Sequence, residues 1–213
     1  MCDVTSMTKE QLTKKLKCAI EKLYSEHKFL LQIKGSERAV AHHLANYLQI
    51  KFRRMLNIQE SNCCDNSGLS DFEQNNLIID CEYNRQLQDP KRDQNDNLII
   101  PDIVLHKRGC NSKNILALEL KLRASSECFR GYGNNMLKDM DTLYSLKSDY
   151  NYKYTVCIVL PKTVDDEVQY ITFDDVADGI SKKFSGDNQK LFECVKAQNK
   201  SNPNKVVLLI DEN

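Results

Sequence analysis

The sequence predicts an α/β fold, an α+β sandwich with a mixed central sheet flanked by helices, and three observations carry that prediction. Apolar residues recur at helical spacing over the first fifty positions. Three short β-rich segments then follow one another: LIIDCEY, LIIPDIVLH and NILALELKL. A helical pattern leads from the third into a further buried strand, YKYTVCIVL.

The elements follow in order. From Thr8 to Tyr24, Leu12, Leu16, Ala19, Ile20 and Leu23 form one stripe, with Thr8 as N-cap. A second helix is expected from Ser36 to Leu56, burying Val40, Ala41, Leu44, Tyr47 and Leu48. Asn57 to Asn76 is polar and reads as a loop. The strand Leu77–Tyr83 comes next, then Leu98–His106 and Asn114–Leu122, the last so apolar that both faces should be covered. Short connections make these three an antiparallel meander. A helix from Asn134 to Lys147 faces Met136, Met140, Leu143 and Tyr144 inward. It acts as a crossover, so the strand Tyr152–Leu160, stopped by Pro161, should lie parallel to a neighbour. VQYITF reads as a short strand, 174–184 and 187–197 as short helices, and Lys205–Ile210 as a last strand. The 213 residues suit one domain. Within it, 1–34 is a helical extension, 36–160 the core, and 161–213 the C-terminal helices and strand.

Hydrophobic residues make up 41% and charged residues 28%, which excludes a disordered chain. Thirty basic residues balance thirty acidic ones, so no global charge pulls the chain toward nucleic acid and any contact must come from local clusters. The nine cysteines include no C-x-x-C pair. An odd count without an apolar signal segment implies a reducing compartment and a cytoplasmic protein, and no stretch is long enough to span a membrane.

One group of residues carries chemistry. Strand alternation places Glu119 and Lys121 on one face with Ile115 and Ala117, opposite Leu116, Leu118, Leu120 and Leu122. An acid and a base thus share a strand built for burial, where an isolated charge is costly. Asp102 follows Pro101 at the start of the preceding strand, and pairing of the two strands would set it across from Glu119. Two carboxylates suit Mg²⁺ or Mn²⁺, which lowers the pKa of a bound water. The lysine then orients or deprotonates that water for in-line hydrolysis of a phosphodiester.

The string PDIVLHKRG…NILALELK, with Pro101–Asp102 and Glu119–Leu120–Lys121, resembles the PD-(D/E)XK motif of the restriction-endonuclease-like nuclease superfamily. The element order is similar to that superfamily's αβββαβ core over Ser36 to Leu160, and the stretch looks like its small stand-alone bacterial members. The resemblance implies that Asp102 and Glu119 bind metal and that Lys121 is the catalytic lysine. It also implies a glutamate from the first core helix, for which Glu37 stands ready; helix capping is the alternative use of that acid. Glu82, on one strand face with Asp80 and Ile78, is either a further metal ligand or part of a solvated edge.

Arg123 and Arg130, just past the lysine motif, and Lys107–Arg108 are candidates for phosphate contacts. The run Lys51–Arg54 reads as a solvated helix end, and His42 and His43 point too far apart for an i, i+4 metal pair. His106 shares the strand face of Asp102. The expected function is a metal-dependent nuclease acting on nucleic acid, DNA before RNA, with a homodimer if both strands are cut. A catalytically inactive nuclease-fold module that binds nucleic acid or protein is the alternative. A nucleotide phosphohydrolase ranks last, because no base pocket is legible.

Overall fold

A computed structural model describes residues 6–33, 36–53, 72–73, 76–86, 89–123, 135–176 and 179–213. Two helices come first, α1 (Lys9–Gln32) and α2 (Glu37–Phe52). Thr8 caps α1 in a reciprocal box: its hydroxyl accepts from the Gln11 N–H at 3.2 Å, and Gln11 Oε1 accepts from the Thr8 N–H at 3.1 Å. The expected stripe Leu12, Leu16, Ala19, Ile20 and Leu23 is fully buried. The helix bends at His27, whose φ of −126° leaves the helical range. In α2, Val40, Ala41, Leu44, Tyr47 and Leu48 are all buried. The expected loop at 57–76 and the far end of the second expected helix fall mostly outside the described residues.

Among the described residues, six strands form one mixed sheet, in the order β1 (Ile78–Cys81), β4 (Ile103–Lys107), β5 (Cys110–Arg123), β6 (Tyr154–Pro161), β8 (Val206–Glu212) and β7 (Tyr170–Ile171). β2 (Arg85–Gln86) and β3 (Asp89–Pro90) make a separate two-stranded ribbon. β1, β4 and β5 pair antiparallel, as the meander requires. Helix α3 (Asn135–Ser148) carries the chain across, so that β6 lies parallel to β5. Helix α4 (Gln189–Ser201) precedes β8.

The sheet separates two apolar layers. On one side α1 and α2 pack over Ile103, Leu105, Leu116, Leu118, Leu120, Leu122, Val156 and Ile158. On the other, Met136, Met140 and Leu143 of α3 and Leu191, Phe192 and Val195 of α4 pack over Val104, Ala117, Cys157, Val159 and Val207. Helix α1 therefore belongs to the core and is no mere extension of it.

Three expectations need correction. Ile115 does not share a face with Ala117; it packs with Leu116 and Leu118. The cause is a register shift, because Leu105 pairs with Leu116 while His106 pairs with Asn114. The helix expected at 174–184 is replaced by a single 3₁₀ turn, Phe173–Asp175, and Gly179 at φ +84° lies outside helical backbone. Thr172 and Asp175 cap that turn reciprocally, which satisfies its N–H groups without a longer helix. Pro161 is the last residue of β6 and does not lie beyond it; its carbonyl accepts the Tyr24 hydroxyl at 2.7 Å.

Candidate active site

Pairing of β4 with β5 stops at Ile103–Leu118, whereas β5 runs on beside β6 to Arg123. Beyond Leu118, one edge of β5 has lost its strand partner, and its backbone N–H groups need acceptors. Carboxylates supply them. Asp102 Oδ2 accepts from the Leu120 N–H at 2.7 Å, and Glu37 Oε1 accepts from the Leu122 N–H at 3.1 Å. Residues 119 and 121 alternate onto the α3 face, the face of Ala117. Four elements thus converge on the open end of β5: the start of α2, the residue before β4, β5 itself, and α3.

Register explains the pairing of the two motif acids. Ile103 opposite Leu118 sets Asp102 next to Glu119, and their side chains are within hydrogen-bonding reach of each other. Lys121 Nζ lies 3.3 Å from Glu37 Oε2 and 3.2 Å from Asp139 Oδ2. One ammonium therefore faces four carboxylates: Glu37, Asp102, Glu119 and Asp139.

The electrostatics follow from burial and crowding. Glu119 is 6% exposed. Burial first, then the charges of Asp139 and Asp102, hold its carboxyl well above the ordinary glutamate range. Burial also raises Asp102, against the lowering effect of the Leu120 N–H and of Lys121. Asp139 is pushed up to about 7, chiefly by burial, although Lys121 pulls it the other way. For Lys121 burial favours the neutral amine, but Asp139, Glu37, Glu119 and Asp102 outweigh it and raise its pKa. The amine is consequently a firm cation.

Asp102, Glu119, Lys121 and Glu37 are brought together as the motif reading expects. Asp139 was not legible as a member. Its one signal is placement: it lies three residues after Met136 and four before Leu143, so an acid interrupts the apolar stripe of α3.

Other expected residues go elsewhere. Glu82 does not join the acids; its carboxylate pairs with Arg38, and only its backbone N–H reaches Asp102, donating to that carbonyl at 3.1 Å. β1 ends at Cys81 and Glu82 turns to φ +54°, which breaks the alternation that would have aligned it with Asp80. Lys107 and Arg108 are poor phosphate contacts. Lys107 is 1% exposed, because β4 is covered on both faces, and Arg108 is bound to Asp80 at 2.6 Å and to Glu73 at 2.5 Å. His106 is buried too, bonded to Asp80 at 3.0 Å and packed on the Tyr83 ring. Burial first, and its bond to Asp80 in the opposite sense, leave its pKa lowered overall. The side chain of Arg123 and the whole of Arg130 lie outside the described residues. His43 stacks on His27 at 3.8 Å between ring centroids, joining α1 to α2.

Among the described residues, no three His, Cys, Asp or Glu side chains stand as a ready-made metal cage. The carboxylates are turned instead to N–H groups and to the Lys121 ammonium. No helix among them is long and apolar enough to cross a membrane. Comparison of the chain with family models, curated proteins and solved structures finds no match.

Proposed function

We propose that this chain is a divalent-cation-dependent nuclease that hydrolyses phosphodiester bonds, in DNA before RNA. The observation that carries the reading is the meeting of Asp102, Glu119 and Lys121 at the open end of β5.

The donor chemistry suits Mg²⁺ or Mn²⁺. Asp102 and Glu119 offer hard oxygen donors side by side, and a single ammonium leaves the group of four acids short of positive charge. The Leu120 carbonyl shares a strand edge with its own N–H, so it faces the same side as Asp102 Oδ2. Bound there by Asp102 and Glu119, the ion would supply an acidified water and charge neutralisation at a phosphate.

The chain's own residues set the rest. Glu37 fixes the start of α2 to β5 through the Leu122 N–H, which aligns α2 with the site. Lys121 Nζ, held between Glu37 and Asp139, is placed to orient an attacking water or to stabilise negative charge on a phosphoryl oxygen. Arg38, largely exposed and following Glu37, pairs with Glu82 beside Asp102 and offers positive charge for a backbone phosphate.

The test is cleavage of supercoiled plasmid and branched DNA with Mg²⁺ or Mn²⁺. Cleavage that disappears in Glu119→Gln and Lys121→Ala supports the reading. Activity unchanged in both variants sinks it. Tight, metal-independent DNA binding without cleavage would transfer the argument to an inactive binding module.

A further inference from the structure

We propose that Asp139 is a positioning residue that holds the Lys121 ammonium at the open end of β5, an inference that rests on the nuclease reading and deepens it.

Lys121 is gripped from two sides. Its Nζ lies between Glu37 Oε2 at 3.3 Å and Asp139 Oδ2 at 3.2 Å. These two acids come from opposite layers, since α2 packs on one face of the sheet and α3 on the other. A lysine side chain has four rotatable carbons and keeps no fixed direction unless its head is held. One partner would leave Nζ free to swing about that contact; two partners from two layers fix it.

Asp139 is the more constrained of the pair. Its side chain is 13% exposed against 41% for Glu37. Glu37 already spends Oε1 on the Leu122 N–H, whereas Asp139 Oδ2, 3.2 Å from Lys121 Nζ, has no other hydrogen-bond partner among the described residues. The position is also expensive. Neighbouring Met136 and Met140 pack with Ala117, Cys157 and Val159, where an apolar side chain would bury well. An acid kept at that cost, with its oxygen on the lysine, is better explained by the lysine than by packing.

The test uses the full-length chain. Asp139→Asn and Asp139→Ala are expected to lower kcat for plasmid cleavage about 10- to 100-fold, the range for groups that orient a reacting side chain. KM for DNA is expected to stay within about twofold. Asp139→Glu, which restores a carboxylate, should recover part of the loss. A second readout is independent of cleavage: nitrogen-detected NMR of the Lys121 ammonium. It should show slow proton exchange in the unsubstituted chain and fast exchange in Asp139→Asn. Unchanged kcat, or an ammonium signal indifferent to Asp139→Asn, overturns the proposal. If the unsubstituted chain cuts no DNA yet its ammonium signal responds, the nuclease reading fails and the positioning contact stands.

Discussion

Replacing Asp139 by Asn should stabilise the metal-free fold, and by an amount that grows with pH. The folded carboxyl is raised from 3.8 to about 7, chiefly because it is buried. Between those values the folded chain holds a proton that the unfolded chain has released. The folded state then binds more protons, so stability falls as pH rises through the interval. A difference of about three pH units corresponds to about 4 kcal/mol at about 1.4 kcal/mol per unit. Because the Asp139 charge also raises Glu119, the two release their protons as a pair, and about 4 kcal/mol is the scale of the effect for the pair rather than for Asp139 alone. Asparagine keeps the shape and removes the charge. Urea unfolding in EDTA at pH 5 and pH 8 measures the effect. The variant should gain up to about 4 kcal/mol at pH 8 and much less at pH 5. An Asp139→Asn chain that is no more stable than the unsubstituted one at pH 8 would refute the reasoning.

Further outcomes follow from the same geometry. Lys121→Ala and Glu119→Gln should each reduce cleavage by about 10²- to 10³-fold, with DNA affinity measured by fluorescence anisotropy nearly unchanged; a large loss of affinity would instead make these residues binding groups. Lys107→Met should be neutral or stabilising by about 1–2 kcal/mol in thermal unfolding, since Nζ is buried without a partner among the described residues. A loss of stability there would mean the ammonium has compensation that the geometry does not reveal. Tyr24→Phe should cost about 1–2 kcal/mol, because the Pro161 carbonyl loses its buried 2.7 Å donor.

Much of this arrangement is legible in the sequence because it rests on periodicity. The α1 and α2 stripes, the meander, and the crossover to a parallel β6 all follow from spacings of three to four or of two. The approach of Asp102 to Glu119 is legible for the same reason: antiparallel pairing with a short turn leaves few registers. What escapes is whatever depends on where an element stops. Leu120 and Leu122 bond to carboxylates only because β4 begins at Ile103. The register shift that carries Ile115 to the other layer has no compositional mark. The KR pair at 107–108 has the look of a solvated turn, yet Lys107 sits in a strand covered on both faces and Arg108 meets acids some thirty residues upstream. Asp139 shows the same limit. One acid in a helical stripe is a faint anomaly until the fold brings the lysine to it.

A structure of the chain crystallised with Mn²⁺ puts the account to its hardest trial. An anomalous peak touching both Asp102 and Glu119, lost in Glu119→Gln, is the predicted result. Saturating Mn²⁺ that leaves those two side chains bare, or settles elsewhere on the molecule, would contradict it.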